Sequence, residues 1–455
     1  MKKSILVSLT VCISVFCAIS CQKTAKTALF EPKPVTHPDW TRSAVIYEVN
    51  LRQYTKEGTF EAFEQYLPQL KDLGVDVLWF MPIHPISEIN RKGTLGSYYA
   101  VKDYKAVNPE FGTDADFKEL VGKAHELGFK VIIDWVANHT GCDNVWLATH
   151  KDWYVLDSVG NPKPPYPEWG DTYDLNYDNA EMHAEMTNSM KYWVQNFDID
   201  GFRCDVAYEV PTEFWEKARI ALDSVKPVFM LAEAEKPELL QNAFDAEYAW
   251  DLLHVMEKIA APKDTTNVNA LRTYLAKQDS LMPSDAYKMN FVTNHDENSH
   301  NGTEFERLQK SAQPFAVLTY TLPGMPLIYT GQEIGLKKRL KFFDKDQVGS
   351  WAKNGTFNFY KKLNELKHTH PALKAGEQGG EMKIYRHGYE KDLLVFQRSK
   401  EGKDLFVMLN LGGRSLEFYT NDVLPKGEFI DFFTGKKLAG IPNHLNPYEY
   451  RILVR

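Results

Sequence analysis

The chain reads as an α/β protein: a (β/α)8 TIM barrel with a short inserted subdomain after strand 3 and a C-terminal antiparallel β-domain. Three observations lead there. Strand and helix signals alternate eight times over roughly 330 residues. Several strand runs are continuously apolar and β-branched, as in Val131-Ile132-Ile133, which suits strands buried on both faces. Four of the strand segments end in charged or imidazole side chains, and in a barrel the C-terminal strand ends line one mouth. A doubly wound open sheet is the alternative. It is disfavoured because no Gly-rich phosphate loop opens the first helix.

The first twenty residues read as an export signal. Lys2 and Lys3 precede an apolar stretch from Ile5 to Ile19, too short to span a bilayer comfortably. Ala18-Ile19-Ser20-Cys21 resembles a bacterial lipobox, so Cys21 is the expected lipidation site and residues 21–38 an anchor and tether. The expected location is that of an exported, membrane-anchored lipoprotein, periplasmic or on the cell surface. An ordinary signal peptide cut nearby is the alternative. Of five Cys, Cys12, Cys17 and Cys21 fall in this leader, leaving Cys142 and Cys204 and no disulfide framework. Removing Lys2 and Lys3 takes the formal charge from −8 to −10, and no basic run appears, which excludes nucleic acid as a partner.

The barrel is expected over 39–370. Ala44–Val49 is the first strand. Phe60–Leu73 is helical, with Phe63, Tyr66, Leu67 and Leu70 at helical spacing and Gly74 as the stop. Val75–Met81 is the second strand. Thr113 opens a helix with Asp116 three residues on, and Gly128 closes it before the third strand. A proline- and tryptophan-rich break of about 140–178 is too long for a plain loop and reads as an excursion on the rim. Met182, Met186, Met190, Trp193, Val194 and Phe197 mark a helix stripe, read as core packing. Strands near 200–205, 228–233, 245–250, 289–294 and 325–330 complete the eight. Pro371 opens the last domain, 371–455, where short apolar runs recur between Gly-rich turns.

The chemistry sits in Asp134–His139, Gly201–Ala207, Leu231–Glu235 and Phe291–Asn298. Three of these deliver Asp205, Glu233 and Asp296 to strand tips, where isolated carboxylates are costly to desolvate and need a use. Sugar-bond cleavage is one: it requires two carboxyl groups flanking an anomeric carbon. Arg203 and Asp205 are two apart and point inward together, so Arg203 is expected to hold Asp205 ionised. Cys204 between them must point to packing. His139 and His295 can hydrogen-bond sugar hydroxyls.

In this order and on these strands, the four segments resemble the α-amylase family of retaining glycoside hydrolases, over about residues 40–455. Tyr173-Asp174-Leu175-Asn176 resembles a fifth motif of that family. The resemblance implies Asp205 as nucleophile, Glu233 as general acid/base and Asp296 as the residue that grips the sugar hydroxyls. It implies Arg203, His139 and His295 at the substrate, Tyr98 as the aromatic platform under the sugar, and Asp134 as support for Arg203. Glu235 competes with Glu233 only outside this register. The chemistry needs no cofactor; a structural Ca2+ held at Asn138 and Asp174 is a further implication. The implied substrate is an α-glucan or malto-oligosaccharide. Transglycosylation on the same site, or glucan binding without catalysis, are the alternatives. Tyr208 and Glu209 stand where many members carry Lys-His, and Lys337–Trp351 lacks the usual Asp-Pro-x-Asn-Arg pattern, which leaves chain length, endo against exo action, and 1,4 against 1,6 linkage open.

Overall fold

Eight parallel strands close into a barrel in this computed structural model, which describes residues 32–261, 263–420 and 424–455. The leader and Cys21 lie outside the described residues. The strands are β1 Ile46–Val49, β2 Val77–Phe80, β3 Lys130–Val136, β4 Gly201–Asp205, β5 Phe229–Ala232, β6 Ala246–Tyr248, β7 Tyr287–Asn290 and β8 Met325–Tyr329. Around the ring they run β1-β8-β7-β6-β5-β4-β3-β2, so β1 lies between β2 and β8 and faces β5 across the mouth. Nearly all of their residues are buried, as a strand covered by helices on one face and packed side chains on the other must be.

Two local details decide how the barrel closes and where its first helix bends. Gly201 opens β4, where a Cβ would lie 1.9 Å from the Phe229 carbonyl oxygen; only glycine lets β4 and β5 approach this closely. The helix expected over 60–73 is two helices, Phe60–Glu64 and Leu67–Leu73. Pro68 explains the break, since it lacks an N–H and its ring clashes with the carbonyl four residues back. The helix Asp114–Glu126 begins as read, with Thr113 and Asp116 forming a reciprocal capping box.

The rim excursion is small. It pairs His139–Gly141 with Thr172–Asp174 as a short antiparallel hairpin and carries two 3-10 turns, Val145–Ala148 and Lys151–Trp153. After the helix Gly355–Thr369, the turn Pro371–Leu373 leads into a six-stranded sheet that includes Leu393–Lys400, Lys403–Asn410 and Tyr450–Val454. Its side chains alternate in period two: Leu394, Phe396, Leu405 and Val407 join the barrel core, and Leu393, Val395, Phe406 and Met408 form a second core on the opposite face.

The expected tether to residue 38 ends earlier than that. At the barrel floor, beside the N-terminal ends of β6 and β7, the His37 ring bonds Asp245 at 2.8 Å and packs on Tyr287. Arg219 reaches the same Asp245 at 2.9 Å and the Thr36 carbonyl at 3.3 Å. Asp245 is buried, and a buried carboxylate requires such partners; Thr36 and His37 therefore belong to the folded barrel. Cys142 and Cys204 are buried free thiols, and among the described residues no helix is long and apolar enough to cross a membrane.

Candidate active site

The C-terminal strand ends carry charged residues inward from five strands. Asp134 on β3 and Arg203 on β4 are register partners in the parallel ladder, so their side chains meet inside the barrel. Asp205 ends β4. Glu233 follows β5 directly, and Glu48 stands inside β1, in register with Trp79. β7 stops at Asn290, short of the expected 294, so His295 and Asp296 sit beyond the ladder, where the chain turns into the helical segment Glu297–Asn301. Asn294 fixes that turn by accepting the Glu297 N–H at 2.8 Å.

Arg203 organises the centre. Its Nη1 contacts Asp134 Oδ1 at 2.8 Å and Asp205 Oδ1 at 3.0 Å, its Nη2 lies 2.8 Å from Glu233 Oε2, and its Nε donates to the Tyr248 hydroxyl at 3.0 Å. Glu233 Oε2 also accepts the Val206 N–H at 2.8 Å. Val206 adopts φ +36°, a left-handed conformation that costs a β-branched residue on the order of 1–3 kcal/mol. That strain turns the backbone amide after Asp205 toward Glu233. Asp205 Oδ2 and Glu233 Oε1 are left without these ties.

A second chain of bonds runs to Asp296. His295 Nδ1 bonds Glu48 Oε1 at 2.5 Å, and its Nε2 lies 2.7 Å from the Tyr99 hydroxyl and 3.2 Å from Asp296 Oδ2. The Tyr99 hydroxyl in turn donates to Asp134 Oδ2 at 3.1 Å, which also accepts the Trp79 indole N–H at 3.2 Å. Burial alone would push the His295 pKa down, but the Asp296 and Glu48 carboxylates overrule it and lift it to about 9. His295 is thus an imidazolium at neutral pH, donating from both nitrogens. His139 is the opposite case: burial pushes it down to about 3, so it stays neutral.

The sequence suggests that Arg203 lowers the pKa of Asp205. The structure corrects this. Arg203 divides its charge among three carboxylates, and burial first, then Glu233, push the Asp205 carboxyl well above the usual range against the pull of Arg203. Five carboxyl groups (Glu48, Asp134, Asp205, Glu233, Asp296) face two cations, Arg203 and His295. That surplus of carboxyl groups around the buried Asp205 disfavours its charged form.

Asp205, Glu233 and Asp296 all line one cavity of about 320 Å³, together with His139, His295 and Tyr99. Tyr98 does not. Its ring is 1% exposed, its hydroxyl bonds Asn50 at 2.9 Å, and the Arg52 guanidinium covers it at 3.9 Å. The tyrosine that lines the cavity is one residue on, Tyr99, whose ring stacks on His295 at 5.4 Å. With tyrosine at both positions, sequence offered no means of choosing the register. Glu235 points elsewhere, to Lys288 at 3.1 Å and the Asp251 N–H at 2.9 Å. Asn138 and Asp174 lie at the base of the rim hairpin. Burial raises Asp174 to about 6, and among the described residues no group of three or more His, Cys, Asp or Glu could hold a metal. Glu48, Trp79, Tyr99 and Tyr248 were missed. A lone carboxylate inside the apolar strand Ile46–Val49 was the available signal for Glu48. Trp169, Lys92 and Phe343 also line the cavity and were likewise missed.

The profile described as "Alpha amylase, catalytic domain" matches residues 39–354. An α-amylase of Haloarcula japonica is 27% identical over 395 residues, which cover 84% of this chain but 57% of that protein, so the chain spans little more than half of it. A cyclomaltodextrinase of Thermoanaerobacter pseudethanolicus is 25% identical over 472 residues, covering 91% of this chain and 78% of its own. The crystal structure of a maltogenic α-amylase from Thermotoga neapolitana superposes with a TM-score of 0.83 at 31% identity, over 90% of this chain and 98% of that one.

Proposed function

The chain belongs to the α-amylase family, and from that premise we propose that it is a retaining α-glycoside hydrolase. Its substrates are starch- or glycogen-derived glucans and malto-oligosaccharides. The observation that carries this reading is the single Arg203 guanidinium holding Asp205 and Glu233 side by side, at a cavity that Asp296 also lines. Retaining enzymes need their two carboxyls close, because one attacks the carbon that the other helps to leave.

In this reading Glu233 Oε1 carries the proton and delivers it to the glycosidic oxygen. Asp205 Oδ2, the oxygen not engaged by Arg203, attacks the anomeric carbon, and the leaving sugar departs with the proton. Glu233 then takes a proton from water, whose oxygen attacks the same carbon and releases Asp205. Asp296, His139 and the His295 imidazolium hold the ring hydroxyls, Tyr99 supplies the flat face beneath, and Asp134 and Tyr248 fix Arg203.

A mechanism-based fluoroglucosyl fluoride tests the covalent step. Mass spectrometry of a peptic digest should find one glycosyl group on the peptide holding Asp205; labelling elsewhere refutes the nucleophile assignment. Product analysis on maltoheptaose separates hydrolysis from transfer, since transfer makes products longer than the substrate.

Two further readings stand as proposals. We propose lipidation at Cys21 with export; fatty-acid labelling that persists in Cys21→Ala would overturn it. A structural calcium would draw on Asn138 and Asp174, and a cation there would favour the Asp174 carboxylate that burial disfavours. These two side chains supply too few oxygens alone, so backbone carbonyls or water would have to complete the site, and no catalytic step runs through it. A melting temperature indifferent to Ca2+ and to EDTA would dismiss it.

A further inference from the structure

The hydrolase reading leaves open whether the cavity accepts a chain in passing or only its end, and the loops around it bear on that. Three rim segments from one side of the barrel are fastened to each other. The loop after β2 is tied to the excursion that follows β3: Lys92 Nζ pairs with Asp171 Oδ1 at 2.7 Å and donates to the Glu168 carbonyl at 2.7 Å, while Asn90 donates to the Gly170 carbonyl at 3.1 Å. The same loop is tied to the segment after β8. Leu95 N–H donates to the Phe343 carbonyl at 2.9 Å, and Asp344 Oδ1 accepts from the Thr94 N–H and hydroxyl at 2.9 and 2.7 Å. Gly93 is pressed against Phe343. With φ +60° and a would-be Cβ at 2.5 Å from the Phe343 Cβ, no other residue fits without moving that loop.

Lys92, Asp171 and Phe343 line the cavity itself, so this seam is one of its walls. The Asp171 side chain is 3% exposed, and a buried carboxylate does not give up its cation cheaply. The position of the wall sets its meaning. It is built from the loops after β8, β2 and β3, on the β8-β1-β2-β3 arc of the ring, and β5, which presents Glu233, lies on the other arc. A proton donor must face the departing oxygen, so the leaving part of the sugar chain lies toward Glu233. On that side the loop after β4 presents an exposed Tyr208. The wall is therefore at the far end, where the retained sugar would continue toward its non-reducing terminus.

We propose, resting on the hydrolase reading, that the Lys92–Asp171 seam closes the non-reducing end of the cleft. The enzyme would then take glucans by that end and shorten them stepwise, rather than cutting inside them. Lys92 is a specificity-determining residue in this assignment, not a catalytic one.

The test compares two 4-nitrophenyl maltoheptaosides, one free and one with its non-reducing glucose blocked as a 4,6-O-ethylidene acetal. The native enzyme should cleave the blocked compound about tenfold or more slowly, because the added group meets the wall. Lys92→Ala should narrow that ratio by loosening the seam. Equal rates for the native enzyme overturn the closed end while leaving the hydrolase reading intact. No cleavage of either compound overturns the hydrolase reading and this one with it. A native ratio of ten that Lys92→Ala leaves unchanged removes Lys92 from the role.

Discussion

Removing the Glu48–His295 pair should change how stability depends on pH. His295 has a folded-state pKa of about 9, against about 6.5 when unfolded. The folded state therefore holds a proton that the unfolded chain releases between those values. The stabilisation is present in full below pH 6.5 and lost as pH rises through 9. The difference of about 2.5 units is worth about 3 kcal/mol. His295→Gln alone would strand the Glu48 carboxylate, which burial already pushes up and which would then bind a proton in its own right. The informative variant is Glu48→Gln/His295→Gln, which removes the cation and its buried partner together. Equilibrium urea unfolding at pH 6 and pH 9.5 should show the native protein losing about 3 kcal/mol more than the variant. Parallel losses in the two proteins would refute the imidazolium.

Asp205→Asn should abolish turnover while calorimetry still detects maltoheptaose binding, and Glu233→Gln should cost about 10²–10⁴ in kcat on substrates whose leaving group needs a proton. Asp134→Asn leaves Arg203 short of a buried partner and should destabilise the fold by about 3–5 kcal/mol in denaturant titration. Tyr99→Ala should raise KM and lower kcat. Tyr98→Phe, which loses one buried bond to Asn50, should cost about 1 kcal/mol of stability and leave KM unchanged; the reverse pattern would restore Tyr98 as the platform.

Much of the barrel was readable from the sequence because its strands, covered on both faces, are short unbroken apolar runs such as Val131–Ile133. The motif residues were readable because charge at the end of such a run is expensive. What escaped depends on facts that no local pattern encodes. Pro68 broke a helix whose apolar spacing was otherwise regular. The cavity-lining tyrosine is one residue on from the expected one because Tyr98 and Tyr99 are chemically identical and only packing under Arg52 separates them. The Asp205 carboxyl is shifted upward by burial first and then by Glu233, 28 residues on in the chain, while Arg203, which also serves Asp134, cannot offset both. The seam at Lys92 joins segments from three different loops, and its partners in sequence are polar residues of no evident pattern.

The hydrogen bond from His37 to the buried Asp245 gives the molecule a fixed point of attachment. The polypeptide enters underneath, at the end of the barrel remote from its mouth, so whatever precedes Thr36 pulls on the base and not on the rim. If Cys21 carries a lipid, fourteen residues separate it from Thr36, a span of at most about 50 Å. The anchor would then bear on the base of the barrel and leave the charged groups at the opposite pole untouched.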